Sequence, residues 1–247
     1  MSNRKAFIKL FAETARYQNR YEVFRDVVTC HAYALHNAVM FDQGIEDDYL
    51  RIAKKYEKDD LTRIARLMAY VVMGLEEKPC DFLGSVFMEL DLGSSQIGQF
   101  FTPYEVSLLM AKLNVVDLCN KPIITLHEPA VGSGGMVIAY AQALRENDVN
   151  YQQKLFVQAI DLDPVAAMMA YVQFTLLHIP AEVCIGNTLT LDISRVFKTP
   201  AYYIGGWSKK LDLHYALENC FSLLNHKDNK TVTAMPIEQF DLLSDCG

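Results

Sequence analysis

The chain has 247 residues, 51% of them hydrophobic and 21% charged, an ordinary globular composition with room for one domain or two small ones. Its formal net charge of −7 argues against an isolated module that grips nucleic acid through many phosphate contacts, since such modules draw much of their affinity from a basic surface. No stretch approaches the roughly 18 apolar residues of a membrane span, and the amino terminus, MSNRKAFIKLFAETARYQNR, has charges spaced through it; a cytosolic protein with no membrane partner is expected.

From Arg4 to about Leu90 the pattern is helical. Phe7, Leu10, Phe11 and Ala15 recur at helical spacing, as do Val23, Phe24, Val27 and Val28, and later Ile64, Leu67, Met68, Val71 and Val72. Gly74 and the Glu76-Glu77-Lys78-Pro79 break that follows it end one helix, and DLGSSQIGQ, residues 91–99, reads as a linker or binding loop. The period then changes. Pro122 to His127 is a short β-branched run, Met136 to Leu144 a helix, Leu155 to Ile160 a second strand, Val165 to Leu177 a helix and Ala181 to Ile185 a third strand. That alternation predicts a parallel sheet with right-handed crossovers. The expected fold is α/β: a helical amino-terminal bundle, residues 1–95, followed by a doubly wound, mostly parallel-sheet domain, residues 96–247.

The six cysteines, Cys30, Cys80, Cys119, Cys184, Cys220 and Cys246, form no CxxC pair, and the histidines form no HExxH, so no metal site is expected. The chemistry concentrates instead in EPAVGSGGM, residues 128–136, at the end of the first expected strand. In an open α/β sheet the ligand sits beyond the carboxyl ends of the strands. Gly132 and Gly134 permit positive φ and a close backbone approach, and the helix that follows offers free N–H groups, although a generic turn would do the same. The second strand ends in Asp161, an acidic residue placed to accept both hydroxyls of a ribose. Together these point to a nucleoside. GxGxxG is not completed, because Met136 and Val137 follow Gly135, and no GK[ST] follows either, so an adenosyl ligand without a pyrophosphate fits better.

Four segments carry a family resemblance: Gly98-Gln99-Phe100-Phe101-Thr102-Pro103, Glu128 to Gly135, Asp161-Leu162-Asp163-Pro164 and Gly186-Asn187-Thr188-Leu189. In this order they resemble the motifs of the N-6 adenine DNA methyltransferases, in particular the modification subunits of type I restriction systems. The resemblance implies a Rossmann-like domain that uses S-adenosylmethionine. It places Phe101, Thr102 and Pro103 along the methionine end of the cofactor, with Glu128, Ala130, Gly132 and Gly134 in the loop beside it. It puts Asp161 on the ribose, Leu162 on the adenine ring and Asn187 at the adenine amino edge, where the family usually has Asp.

The family's (D/N)PP(Y/F) tetrapeptide accepts the hydrogens of the target amino group and stacks on the flipped base. No such tetrapeptide occurs here. The nearest segment, expected after the third strand, is Thr199-Pro200-Ala201-Tyr202, which would make Thr199, Pro200 and Tyr202 the catalytic residues with a weakened acceptor. A turn followed by aromatic packing is the alternative. Arg195, Lys198, Lys209 and Lys210, interleaved with aromatic residues, are the candidate DNA contacts. About 45 residues follow Tyr202, too few for the remaining strands and a target-recognition domain, so the domain is expected to be truncated. DNA would then be bound weakly by this chain alone, with specificity left to another protein subunit. Two functions follow from the resemblance: methyl transfer to adenine N6 in DNA, or a cofactor-binding pseudoenzyme that acts through a protein partner.

Overall fold

A computed structural model describes residues 2–92 and 101–228. Gly98, Gln99, Phe100, most of the segment 91–99 and the expected domain boundary at 95/96 lie outside the described residues, as does the tail beyond Asp228. The chain forms two compact units, Met1–Trp207 and Ser208–Gly247.

The first unit opens with five helices: α1 (Asn3–Glu13), α2 (Arg20–Asn37), α3 (Gln43–Ala53), α4 (Lys58–Glu77) and α5 (Phe82–Glu89). Most starts are set locally. Ser2, Asn19, Asp42 and Asp81 each accept a backbone N–H of the first turn, which satisfies donors a helix start leaves without partners. The apolar stripes expected from the sequence converge on an aromatic core in which Phe7, Phe11, Phe24, Phe82 and Phe87 meet in stacked, tilted or edge-on pairs. α4 ends at Glu77, inside the expected break, with Gly74 still helical just before it. A Cβ on Gly74 would fall 2.3 Å from the Phe82 ring, so the role of this glycine is to let α5 approach.

After α6 (Tyr104–Val115) comes the alternating part: β1 (Ile124–Glu128), α7 (Gly135–Glu146), the single turn α8 (Tyr151–Lys154), β2 (Leu155–Asp161), α9 (Pro164–Leu176) and β3 (Ala181–Asn187). Each expected strand and helix here appears within about two residues of its reading. The sheet order is β1-β2-β3-β4, parallel through β3. The fold is therefore α/β, a helical amino-terminal region leading into a mostly parallel sheet. Val157, Ala159, Ala181 and Val183 form the buried inward row of that sheet, and α2 packs across α9 behind it.

One strand was not expected. β4 (Asp192–Lys198) returns antiparallel to β3, pairing Asn187 with Asp192 and Glu182 with Lys198. It leads into α10 (Pro200–Ile204), whose Tyr202, together with Trp207, packs on Phe156 on the sheet face away from the inward row. The described part of the second unit is the helix α11 (Trp207–Asp228) from Ser208 onward. No described helix is long and apolar enough to cross a membrane.

Candidate cofactor site

The carboxyl ends of β1 and β2 lie side by side, with Glu128 opposite Ala159 and Asp161 two residues further along β2. Between them the glycine loop folds back: Val131 donates its N–H to Ile160 O at 2.9 Å, and Gly134 donates to Val131 O at 2.9 Å. Gly132 has φ 56 and Gly134 φ 96, backbone that favours glycine at both positions. Gly134 occupies the N-cap position of α7, which has no side-chain cap, so the first N–H groups of that helix are left for other acceptors.

A cavity of about 330 Å³ opens at this loop, at the lower end of the range typical for small-molecule sites. Phe101, Thr102, Glu128, Ala130, Gly132 and Asp161 line it, so the structure brings together six of the ten residues expected at the cofactor. Phe101 tilts against Phe87 and lies over Gly132, where a Cβ would come within 3.0 Å of its ring. Asp161 is built into the loop. One carboxylate oxygen accepts the Gly132 N–H at 2.7 Å, the other the Asp163 N–H at 2.9 Å. A carboxylate has about four acceptor positions, and the Leu162 N–H also reaches this one, so at least one position is left for a further donor. Burial raises the Asp161 and Glu128 carboxyls above their ordinary range, and in each case backbone N–H donors oppose the shift.

The other four expected residues stand beside the cavity rather than on its lining. Pro103 opens α6, its carbonyl accepting the N–H groups of Val106 and Ser107. Gly134 faces Phe174 of α9, and Leu162 is 70% exposed. Asn187 caps its own turn through Leu189 N at 2.9 Å, while Thr188 next to it donates to Pro129 O at 2.6 Å and ties the end of β3 to the glycine loop.

Two further lining residues were not anticipated. Asp81, the N-cap of α5, is buried under the loop. It accepts from Ser133 Oγ at 2.5 Å, Gln173 Nε2 at 2.9 Å and its own helix at Gly84 N. Ser107, in the first turns of α6, is fully buried, and its Oγ has no hydrogen-bond partner among the described residues. Asp81 and Ser133 are 52 residues apart in the chain, and a helix-capping Asp carries no local sign of such a contact.

The catalytic expectation requires correction. Thr199 follows an antiparallel strand and so lies at the amino-terminal end of β3, not at the carboxyl ends where the cavity opens. Its N–H and hydroxyl bracket Ala181, the N–H donating to Ala181 O and Oγ1 accepting Ala181 N, each at 3.0 Å, while Oγ1 donates to Ile179 O at 2.8 Å. The seven residues of β4 span roughly 20 Å, which separates Thr199, Pro200 and Tyr202 from the glycine loop. Thr199 is fully buried and Tyr202 nearly so, its ring tilted against Phe156. The turn-and-packing alternative describes them. Thr199→Val is accordingly expected to cost about 2 kcal/mol of stability through the orphaned Ala181 N–H. Ligand affinity at the distant cavity should stay within about twofold; denaturant melts and a binding titration on the same sample check both.

Two of the four basic residues are likewise committed. Arg195 donates to the Tyr33 hydroxyl at 2.8 Å and pairs with Asp48 at 2.9 Å, and Lys198 pairs with Glu182 at 2.9 Å beneath the Tyr202 ring. Lys209 and Lys210 stand on α11 in the second unit.

The family model for N-6 DNA methylases matches residues 90–216, just over half of the chain. The chain belongs to the N-6 DNA methylase family. No curated protein matches it. Among solved structures it is similar to a protein described as a class I S-adenosylmethionine-dependent methyltransferase from Listeria monocytogenes, at 13% identity and a TM-score of 0.42 over 72% of this chain and 51% of that one. It is also similar to the methyltransferase subunit of a type I restriction-modification system from Streptococcus thermophilus, at 12% identity and 0.38, covering 72% and 55%. A third similarity, to the DrdV–DNA complex, has 16% identity and a TM-score of 0.32 over 71% of this chain and 20% of that one. The chain thus spans about half the length of the first two structures.

Proposed function

We propose that this member of the N-6 DNA methylase family binds S-adenosylmethionine in the cavity between Phe101, the glycine loop and Asp161. The observation that carries the reading is the Asp161–Gly132 hydrogen bond at 2.7 Å, which fixes a carboxylate with spare acceptor capacity at the rim of a glycine-lined cavity. Asp161 would take the ribose hydroxyls. Phe101 and Thr102 would flank the methionine end, and Glu128 would lie beside its amino acid moiety. When bound, S-adenosylmethionine supplies a methyl group on a positively charged sulfur; family membership points to adenine N6 in DNA as its acceptor.

A second reading is favoured by the position of Thr199. The expected acceptors of the target amino hydrogens lie roughly 20 Å from the cavity, at the other end of the sheet. On this reading the chain holds the cofactor without transferring its methyl group alone, and a protein partner, a specificity subunit or another, supplies DNA contact. The bonds already made by Arg195 and Lys198 agree with weak DNA binding by the chain itself.

Calorimetric titration with S-adenosylmethionine tests what both readings share. A saturable heat is expected; silence at about millimolar ligand, near −4 kcal/mol of binding energy, would remove the cofactor assignment. Tritiated methyl transfer to unmethylated DNA then separates them, with incorporation favouring the enzyme and binding without incorporation the partner-dependent subunit.

A further inference from the structure

Among the described residues three carboxylates line the cavity, Asp81, Glu128 and Asp161, and no lysine, arginine or histidine does. Among the described residues no set of three acidic, histidine or cysteine side chains is arranged to hold a metal ion. The acidity of the cavity therefore suits an organic cation. Asp161 and Glu128 are absorbed by the cofactor assignment. Asp81 is not.

The Asp81 carboxylate is 4% exposed and takes three hydrogen bonds: Gly84 N and Gln173 Nε2 on one oxygen, Ser133 Oγ on the other. All three donors are neutral, so they satisfy its geometry without cancelling its charge, and the oxygen shared only with Ser133 keeps an acceptor position. Burial of this charge without a cation lifts the carboxyl above its ordinary range. The second observation is independent. Ser107 comes from a different helix, α6, is fully buried, lines the same cavity, and has a hydroxyl with no partner among the described residues. A buried hydroxyl left without a partner costs about 1–3 kcal/mol, a cost removed when a ligand group supplies the missing bond.

We infer that Asp81 and Ser107 form a subsite for the α-ammonium group of the bound cofactor, an assignment that rests on the S-adenosylmethionine reading above. An ammonium carries three donors and no acceptor, and the two side chains offer a free carboxylate position and a free hydroxyl lone pair. The cofactor's carboxylate is excluded from the same place by the charge of Asp81. Because Asp81 belongs to α5 and Ser107 to α6, the helices before the sheet would read the amino acid end of the ligand.

The test uses S-adenosylhomocysteine, which has the ammonium but no methyl group to transfer, and its desamino analogue, in which hydrogen replaces the α-amino group. The wild-type chain should bind S-adenosylhomocysteine more tightly. Asp81→Asn and Ser107→Ala should each weaken that ligand about tenfold, the value of one charge-assisted bond, and leave the desamino analogue unaffected. Ser107→Ala removes a buried oxygen that bonds nothing, so its melting temperature should be no lower than that of the wild type, and it decides the matter alone if Asp81→Asn fails to fold. Equal losses for both ligands, or no loss for either, would overturn the subsite while leaving the cofactor site standing. A wild-type chain that binds neither ligand would overturn the cofactor reading itself.

Discussion

Asp161→Ala is expected to reduce affinity for S-adenosylmethionine by roughly 100-fold or more while the rest of the sheet stays folded. The residue ends β2 and is part-exposed at the cavity, so no packing void follows from its truncation. Two things are lost. The free acceptor capacity that the proposed reading assigns to the ribose disappears, and hydrogen bonds to a charged group are worth about 1.5–3 kcal/mol each. The Gly132 and Asp163 N–H groups also lose their acceptor, which releases the loop from its ligand-ready shape. A combined loss of about 3 kcal/mol corresponds to the stated factor. The pH dependence has a definite sign. The Asp161 carboxyl is raised in the folded chain, so at falling pH it protonates earlier than an ordinary carboxyl and gives up charge that a cationic ligand prefers. Wild-type affinity should therefore decline as pH drops, starting above the usual carboxylate range, and Asp161→Ala should flatten that decline. Calorimetry across pH on both proteins checks this; unchanged affinity in the variant would remove Asp161 from the site.

How much of this was legible in the sequence depended on whether a segment's role was local. β1, α7, β2, α9 and β3 were readable because each buries a continuous or periodic apolar run and is punctuated by glycine, or by Asp163 and Pro164 at the start of α9. The part of the cavity lining from Glu128 to Asp161 was readable for the same reason, as it hangs on strand ends and a glycine loop, whereas Phe101 and Thr102 were placed by the family resemblance. β4 was not. Five of its seven residues, Asp192 to Val196, are exposed, so DISRVFK carries no buried stripe to announce a strand. It is formed by a turn that closes on Asn187 and Thr188, with Leu191 at φ 60. Missing that reversal of direction is what placed Thr199 and Tyr202 at the wrong end of the sheet. Asp81, Gln173 and Ser133 were unreadable for a different reason: their bonds join three elements spread over some 90 residues, and each side chain alone has an ordinary explanation as a cap, a helix residue or a turn.

Gly134→Ala is expected to destabilise the first unit by about 3 kcal/mol, the largest stability effect of any single methyl group discussed for this chain. Two costs combine. At φ 96 an L-residue is strained by about 1 kcal/mol or more, and the new Cβ would sit 2.6 and 2.9 Å from ring carbons of Phe174, with the Ala170 backbone 3.4 Å away. Phe174 is fully buried in α9 and cannot swing aside without opening the core, so overpacking adds about 2 kcal/mol. Gly206 separates the two costs. Its φ is 62, yet no described atom lies within 4 Å of the position a Cβ would take, so Gly206→Ala should lose only the backbone part, about 1 kcal/mol. At roughly 2–4 °C per kcal/mol for a chain of this size, the two substitutions should differ by several degrees in melting temperature, with Gly134→Ala lower. Equal shifts would mean that Phe174 yields, and that the contact between α9 and the glycine loop is looser than its geometry implies. The same contact carries a functional consequence. Gly134 fixes where α7 begins, and the N–H groups of that first turn border the cavity through Gly135 and Met136. Whatever population of Gly134→Ala stays folded must shift that turn away from Phe174, so its ligand affinity should fall along with its stability, whereas Gly206→Ala should bind as the wild type does.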